Sequence, residues 1–141
     1  MSKERTAISS VPIPLWVRLI VILGAILTTM GAVIALVNPA MLVSPHDQIN
    51  GAVHIYAGYL AARNFALALM LVGLMILGAG RPLRNLMVLI ALIQLLDICI
   101  DAVEGRWTVI PGVFLFGVMF LIGASRLSKG APLWKTEAWL R

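Results

Sequence analysis

Leu19-Ile20-Val21-Ile22-Leu23-Gly24-Ala25-Ile26-Leu27-Thr28-Thr29-Met30-Gly31-Ala32-Val33-Ile34-Ala35-Leu36-Val37 runs nineteen residues without a charged side chain. At about 1.5 Å per residue, a helix over it would measure roughly 28 Å, close to the thickness of a bilayer's hydrocarbon. With the entrance residues from Leu15 it forms a first span, about 15–37, closed by Asn38-Pro39, because proline excludes the preceding residue from helix. Three more segments are apolar over similar lengths: about 52–79 with Arg63 inside it, about 83–103 with Asp97 and Asp101, and about 109–127. Gly80-Arg81-Pro82 is expected to turn the chain between the second and third, and Gly105 and Pro111 to bracket the step to the fourth. The expected fold is all-α, an integral membrane four-helix bundle forming a single domain over 1–141. A short tail, 131–141, with Trp134 and Trp139 among cations, suits the headgroup layer.

Composition agrees. In 141 residues, 61% are apolar and 12% charged, which excludes a water-soluble enzyme and a disordered chain. The single cysteine, Cys99, excludes an intrachain disulfide and CxxC redox chemistry. Basic residues set the polarity. Lys3, Arg5, Arg18, Arg81, Arg84, Arg126, Lys129, Lys135 and Arg141 fall on one side of the four spans and Arg106 alone on the other. The excess of Lys and Arg marks the cytoplasmic side, so both termini are expected there and the Asn38–Gly51 loop outside. The net charge of +5 then faces anionic lipid, with no nucleic acid implied. The first span, with no Ala-x-Ala site after it, reads as a retained signal anchor.

Charged residues inside hydrocarbon cost roughly 2.5–3.5 kcal/mol each on insertion scales and need a reason to be there. At about 100° per residue, Gln94, Asp97, Asp101 and Glu104 fall within one arc of the third helix, and Tyr56, Tyr59 and Arg63 within one arc of the second. Counted from the outer ends, Arg63 lies about 16 Å deep and Asp97 about 10 Å. An ion pair between them is expected, with Asp101 the second choice and Gln94 sharing the guanidinium's donors. Asn64, about 100° from Arg63, is expected to face helix one or helix four. A clasp would explain one Arg and one Asp. The further carboxylates and the tyrosines point instead to a pocket in the outer half, above an inner half sealed by Leu67–Leu77 and Leu86–Ile93. Its candidate catalytic residues are Asp97, Asp101 and Arg63, and its candidate binding residues Tyr56, Tyr59, Asn64, Gln94 and Glu104.

No cofactor or metal is expected. His54 and His46 do not make a haem pair, and His46, Asp47 and His54 lack a fourth ligand. Gly24, Thr28, Ala32 and Ala35 form a small-residue stripe that reads as close helix packing.

Tyr59-Leu60-Ala61-Ala62-Arg63-Asn64-Phe65-Ala66-Leu67-Ala68, followed after a basic turn by Gln94-Leu95-Leu96-Asp97, resembles the DoxX-like four-helix membrane proteins of bacteria, and most of all their domain-of-unknown-function 4267 branch. Asn38-Pro39 after helix one also suits that group, and the resemblance covers about 15–127. It implies a left-handed bundle in the bacterial inner membrane. The quinone-linked sulfur oxidation described for some of these relatives is not carried over, since no cysteine or histidine set supports it. The expected function is binding or acid–base processing of a lipophilic small molecule, with Arg63 orienting a polar head and Asp101 or Glu104 exchanging protons. An Asp–Arg–Asp set beside tyrosine is similar to that of limonene-type epoxide hydrolases, so an isomerase, cyclase or hydrolase is conceivable. An accessory subunit using the cluster as assembly glue is the alternative and a proton-coupled transporter the third reading. Expected partners are a lipid or lipophilic molecule and the membrane, with a homo-oligomer left open.

Overall fold

The computed structural model describes residues 13–43, 48–128, 133 and 135. Its elements are α1 (Leu15–Val37), a 3-10 turn (Pro39–Leu42), α2 (Gly51–Ile76), α3 (Gly80–Val103) and α4 (Ile110–Leu127). All four α-helices are long and apolar enough to cross a membrane. His46, Asp47, Trp134 and Trp139 lie outside the described residues, and so do the expected features that rest on them.

Local sequence sets the helix ends. Asn50 caps α2, its Oδ1 accepting from the amides of Ala52 at 3.0 Å and Val53 at 3.2 Å. The turn after α2 falls earlier than expected. Gly78 adopts φ +64°, its amide donates to Met75 O, and Ala79 donates to Leu74 O. That pair of bonds is a Schellman motif, which needs a left-handed residue that glycine supplies without steric cost. Gly80-Arg81-Pro82 therefore begins α3 instead of forming the turn. Pro82 is tolerated because the first intrahelical bond is made one residue later, by Leu83 N to Ala79 O. Gly105, at φ +71°, ends α3 in the same way, with Gly105 N to Ala102 O and Arg106 N to Asp101 O.

α1 lies along α2 and α3 along α4 over long stretches, while the α2–α3 and α1–α4 seams are shorter. The bundle is filled unequally. Toward the ends of α1 and α4 nearest the termini, Val17, Val21, Leu71, Leu83, Met87, Ile90 and Phe120 are fully buried, and Phe116 packs edge-on to Phe120 at 5.0 Å. Toward the opposite, distal end, the buried apolar residues are small: Ala32, Ala35, Ala57 and Ala61. The small-residue stripe of α1 is buried along its whole length. Arg84, one of the basic residues that set the expected polarity, is 2% exposed and donates from Nε and Nη2 to Asn85 Oδ1. Arg126 lies 6.0 Å over the Trp16 ring, joining the start of α1 to the end of α4. Outside, Leu19, Leu69, Leu96, Val103 and Leu115 are exposed, an apolar exterior unsuited to water.

A Cβ at Gly24 would run into the buried Phe120 ring. Overpacking of about 1–3 kcal/mol should outweigh the roughly 0.5–1 kcal/mol that alanine adds to a helix interior. Gly24→Ala is thus expected to lower the melting temperature. Gly58→Ala, where a Cβ meets nothing, should not, and Gly123→Ala should fall between because only the flexible Met87 tip obstructs it. Melting curves of the three variants in one detergent check the order.

Candidate functional site

A cavity of about 450 Å³ lies in the distal half, walled by all four helices. Leu27, Thr28 and Gly31 come from α1, Leu60, Arg63, Asn64 and Leu67 from α2, Ile90, Ile93, Gln94 and Asp97 from α3, and Gly112, Val113 and Phe116 from α4. Leu42 and Val109 line it toward its distal end. The volume exists because alanines, and not larger residues, fill the neighbouring α1–α2 contact. Below it, Ile90 and Phe116 join the packed core.

Arg63 Nη2 stands 3.5 Å from Asp97 Oδ2, as the opposed stripes of α2 and α3 anticipate. Both side chains remain partly exposed, 41% for Arg63 and 32% for Asp97, so the pair borders open space and is not sealed in a core. Asn64 and Gln94 also line the cavity. Asn64 faces α1 as expected, close enough to Gly31 that a Cβ there would sit 3.2 Å from Nδ2. Gln94 packs its Cβ toward Gly117 of α4. Thr28, which the sequence reading assigned to packing alone, also lines the wall while its hydroxyl donates to Gly24 O at 2.8 Å.

Four of the eight candidate residues are therefore brought together, namely Arg63, Asn64, Gln94 and Asp97. The other four lie elsewhere. Tyr56 and Tyr59 are 73% and 72% exposed on the outer face of α2 and are absent from the cavity wall. Glu104 is exposed at the C-cap of α3. Asp101 is buried at 8% exposure, yet it faces the distal end, where Oδ1 meets Arg106 Nη1 at 3.3 Å. Asp101 is thus paired with Arg106 and does not stand as an unpartnered carboxylate on the cavity wall.

Arg106 is the residue that sequence reasoning missed. The left-handed Gly105 folds the chain back, so that the Arg106 amide reaches Asp101 O at 2.7 Å and its guanidinium reaches Asp101 Oδ1. The same Nη1 donates to Leu42 O at 3.1 Å, tying the α3–α4 connection to the turn after α1. Gly105-Arg106 after an Asp four residues earlier was the available signal, since a Schellman motif returns the second residue past the helix to its last turn. No group of three or more His, Cys, Asp and Glu residues able to hold a metal occurs among the described residues.

No family model, curated protein or solved structure matches the chain.

The two ion pairs should differ in strength. Arg63 and Asp97 are half exposed, so a double-mutant cycle with alanine is expected to give a coupling of about 1 kcal/mol. Arg106→Ala leaves the buried Asp101 carboxylate uncompensated, a change that costs up to about 3–5 kcal/mol in buried pairs. It should be more destabilising than Arg63→Ala, and Asp101→Asn added to it should restore part of the loss. Thermal unfolding of these variants checks both statements.

Proposed function

We propose that the chain is a multi-pass protein of a bacterial inner membrane, of the DoxX-like type, with both termini in the cytoplasm, and that its cavity binds a lipophilic small molecule. The observation that carries the binding reading is the cavity itself. Its size falls within the roughly 300–1,000 Å³ of ordinary ligand pockets, its wall is mostly apolar, and a few polar groups converge on it from two helices. In this reading Arg63, Asn64 and Gln94 bind the polar part of the occupant, and Leu27, Leu60, Ile93 and Phe116 surround the rest. Asp97 holds Arg63 and is the one carboxylate among the described residues of the wall, so an acid–base step is assigned to it and not to Asp101 or Glu104. Tyr56 and Tyr59 drop out as binding residues and serve instead as surface groups of α2.

The alternative, an accessory subunit with Arg63–Asp97 as a packing clasp, draws on the ion pair but does not account for a cavity beside it. Gly112 separates the two. It lines the cavity, and a Cβ there meets nothing within 4 Å. On the binding reading, mass spectrometry of lipid extracts should find a compound enriched on the purified wild type and lost from Gly112→Leu, which keeps its melting temperature. Equal extracts from both proteins would favour the clasp.

Support for the orientation comes from Arg18, Arg81 and Arg126 at the end nearest the termini, against Arg106 at the distal end. In a Cys99→Ser background, Trp107→Cys is expected to react with a membrane-impermeant maleimide in spheroplasts without permeabilisation. Labelling that requires permeabilised cells would reverse the topology.

A further inference from the structure

Charge is balanced in the cavity before anything enters it. Arg63 is matched by Asp97, Asp101 outside the wall is matched by Arg106, and no other charged side chain among the described residues lines the space. What the wall still offers is Asn64 and Gln94, neither of which hydrogen-bonds to another described residue. Each amide presents a carbonyl that accepts and an NH2 that donates twice. The two stand on neighbouring helices at the same level of the bundle, among leucine, isoleucine, valine and phenylalanine.

Resting on the binding reading above, we propose that the cavity selects an uncharged amphiphile, an apolar chain or ring system bearing a hydroxyl or carbonyl, over an anion or a cation of the same length. An anionic head would have to shed its hydration for a guanidinium that Asp97 already engages, and a cationic head would meet a carboxylate that Arg63 already engages. Each would leave one uncompensated net charge in a mostly apolar cleft. A hydroxyl both donates and accepts, and the two amides supply both complements, so its lost water contacts are replaced in kind. A carbonyl needs only the NH2 groups. The polar pair is thus a neutral background that orients the head, and the amides are the groups that recognise it.

The experiment compares four probes of one chain length, 1-dodecanol, dodecane, dodecanesulfonate and dodecyltrimethylammonium, at micromolar concentration. The proteins are wild type, Gly112→Leu and Gln94→Met in phosphatidylcholine nanodiscs, with Gly112→Leu reporting effects exerted through the bilayer alone. Dodecanol is expected to raise the wild-type melting temperature by about 3 °C or more relative to Gly112→Leu. It should bind at least about tenfold more tightly than either ion, a difference of about 1.4 kcal/mol. Gln94→Met should lose most of the dodecanol shift while keeping that of dodecane, which needs no amide. Should Gln94→Met fail to fold, Asn64→Leu takes its place. An ion that binds as tightly as dodecanol, or an alcohol shift untouched by loss of the amide, overturns the inference and leaves the binding reading standing. No shift with any probe beyond that of Gly112→Leu overturns both.

Discussion

Four helices enclose a fixed cross-section, and the side chains supplied to it differ between its two ends. Near the termini Phe116, Phe120, Met87, Leu71 and Leu83 pack into one buried core. At the distal end the α1–α2 contact is built of Ala32, Ala35, Ala57 and Ala61, which bring two helices together without filling the space beside them. The cavity is a consequence of that gradient. The space is open between the helices, so water, a lipid chain or a specific molecule can fill it.

The two carboxylates of α3 sit one turn apart and act in different ways because of what meets them. Asp101 lies where the Gly105 turn delivers Arg106, so its charge is used to close the end of the bundle and to hold the Leu42 turn. Asp97, one turn deeper, looks across to α2 and meets Arg63 beside the cavity. Identical side chains thus become a structural tie and a component of the cavity wall, and the difference is fixed by one glycine with positive φ.

How far this was legible in the sequence depends on which signal was read. Hydropathy alone locates the four helices, because each long apolar run is bounded by polar or helix-ending residues. The α2–α3 turn lies earlier than Gly80-Arg81-Pro82 suggests, because proline in a first turn starts a helix and the left-handed Gly78 ends the one before. On α2, a shared arc of polar residues identified a stripe but not the direction it faces. The buried alanines mark that direction. Measured from Ala57 at about 100° per residue, Asn64 lies about 20° away, Arg63 about 120° and Tyr59 about 160°. Tyr59 therefore faces outward, while the long side chain of Arg63 reaches back to the wall. On α3 the same reading succeeded for Gln94 and Asp97, because their arc coincides with that of the buried Ile90 and Asp101.

The distal tie also bears on how an occupant would arrive. Arg106 joins the two connections whose Leu42 and Val109 line the cavity toward that end, and the opposite half is filled by core side chains. Entry along the bundle axis from the end nearest the termini is therefore obstructed. The α2–α3 seam is one of the two shorter helix contacts, and Arg63 and Asp97 stand on either side of it with their charged ends still accessible. A molecule dissolved in the bilayer would approach such a site sideways, with its apolar part already in hydrocarbon. The only groups it must then satisfy on entry are polar ones at mid-helix, which is where this chain places two amides and a neutral ion pair.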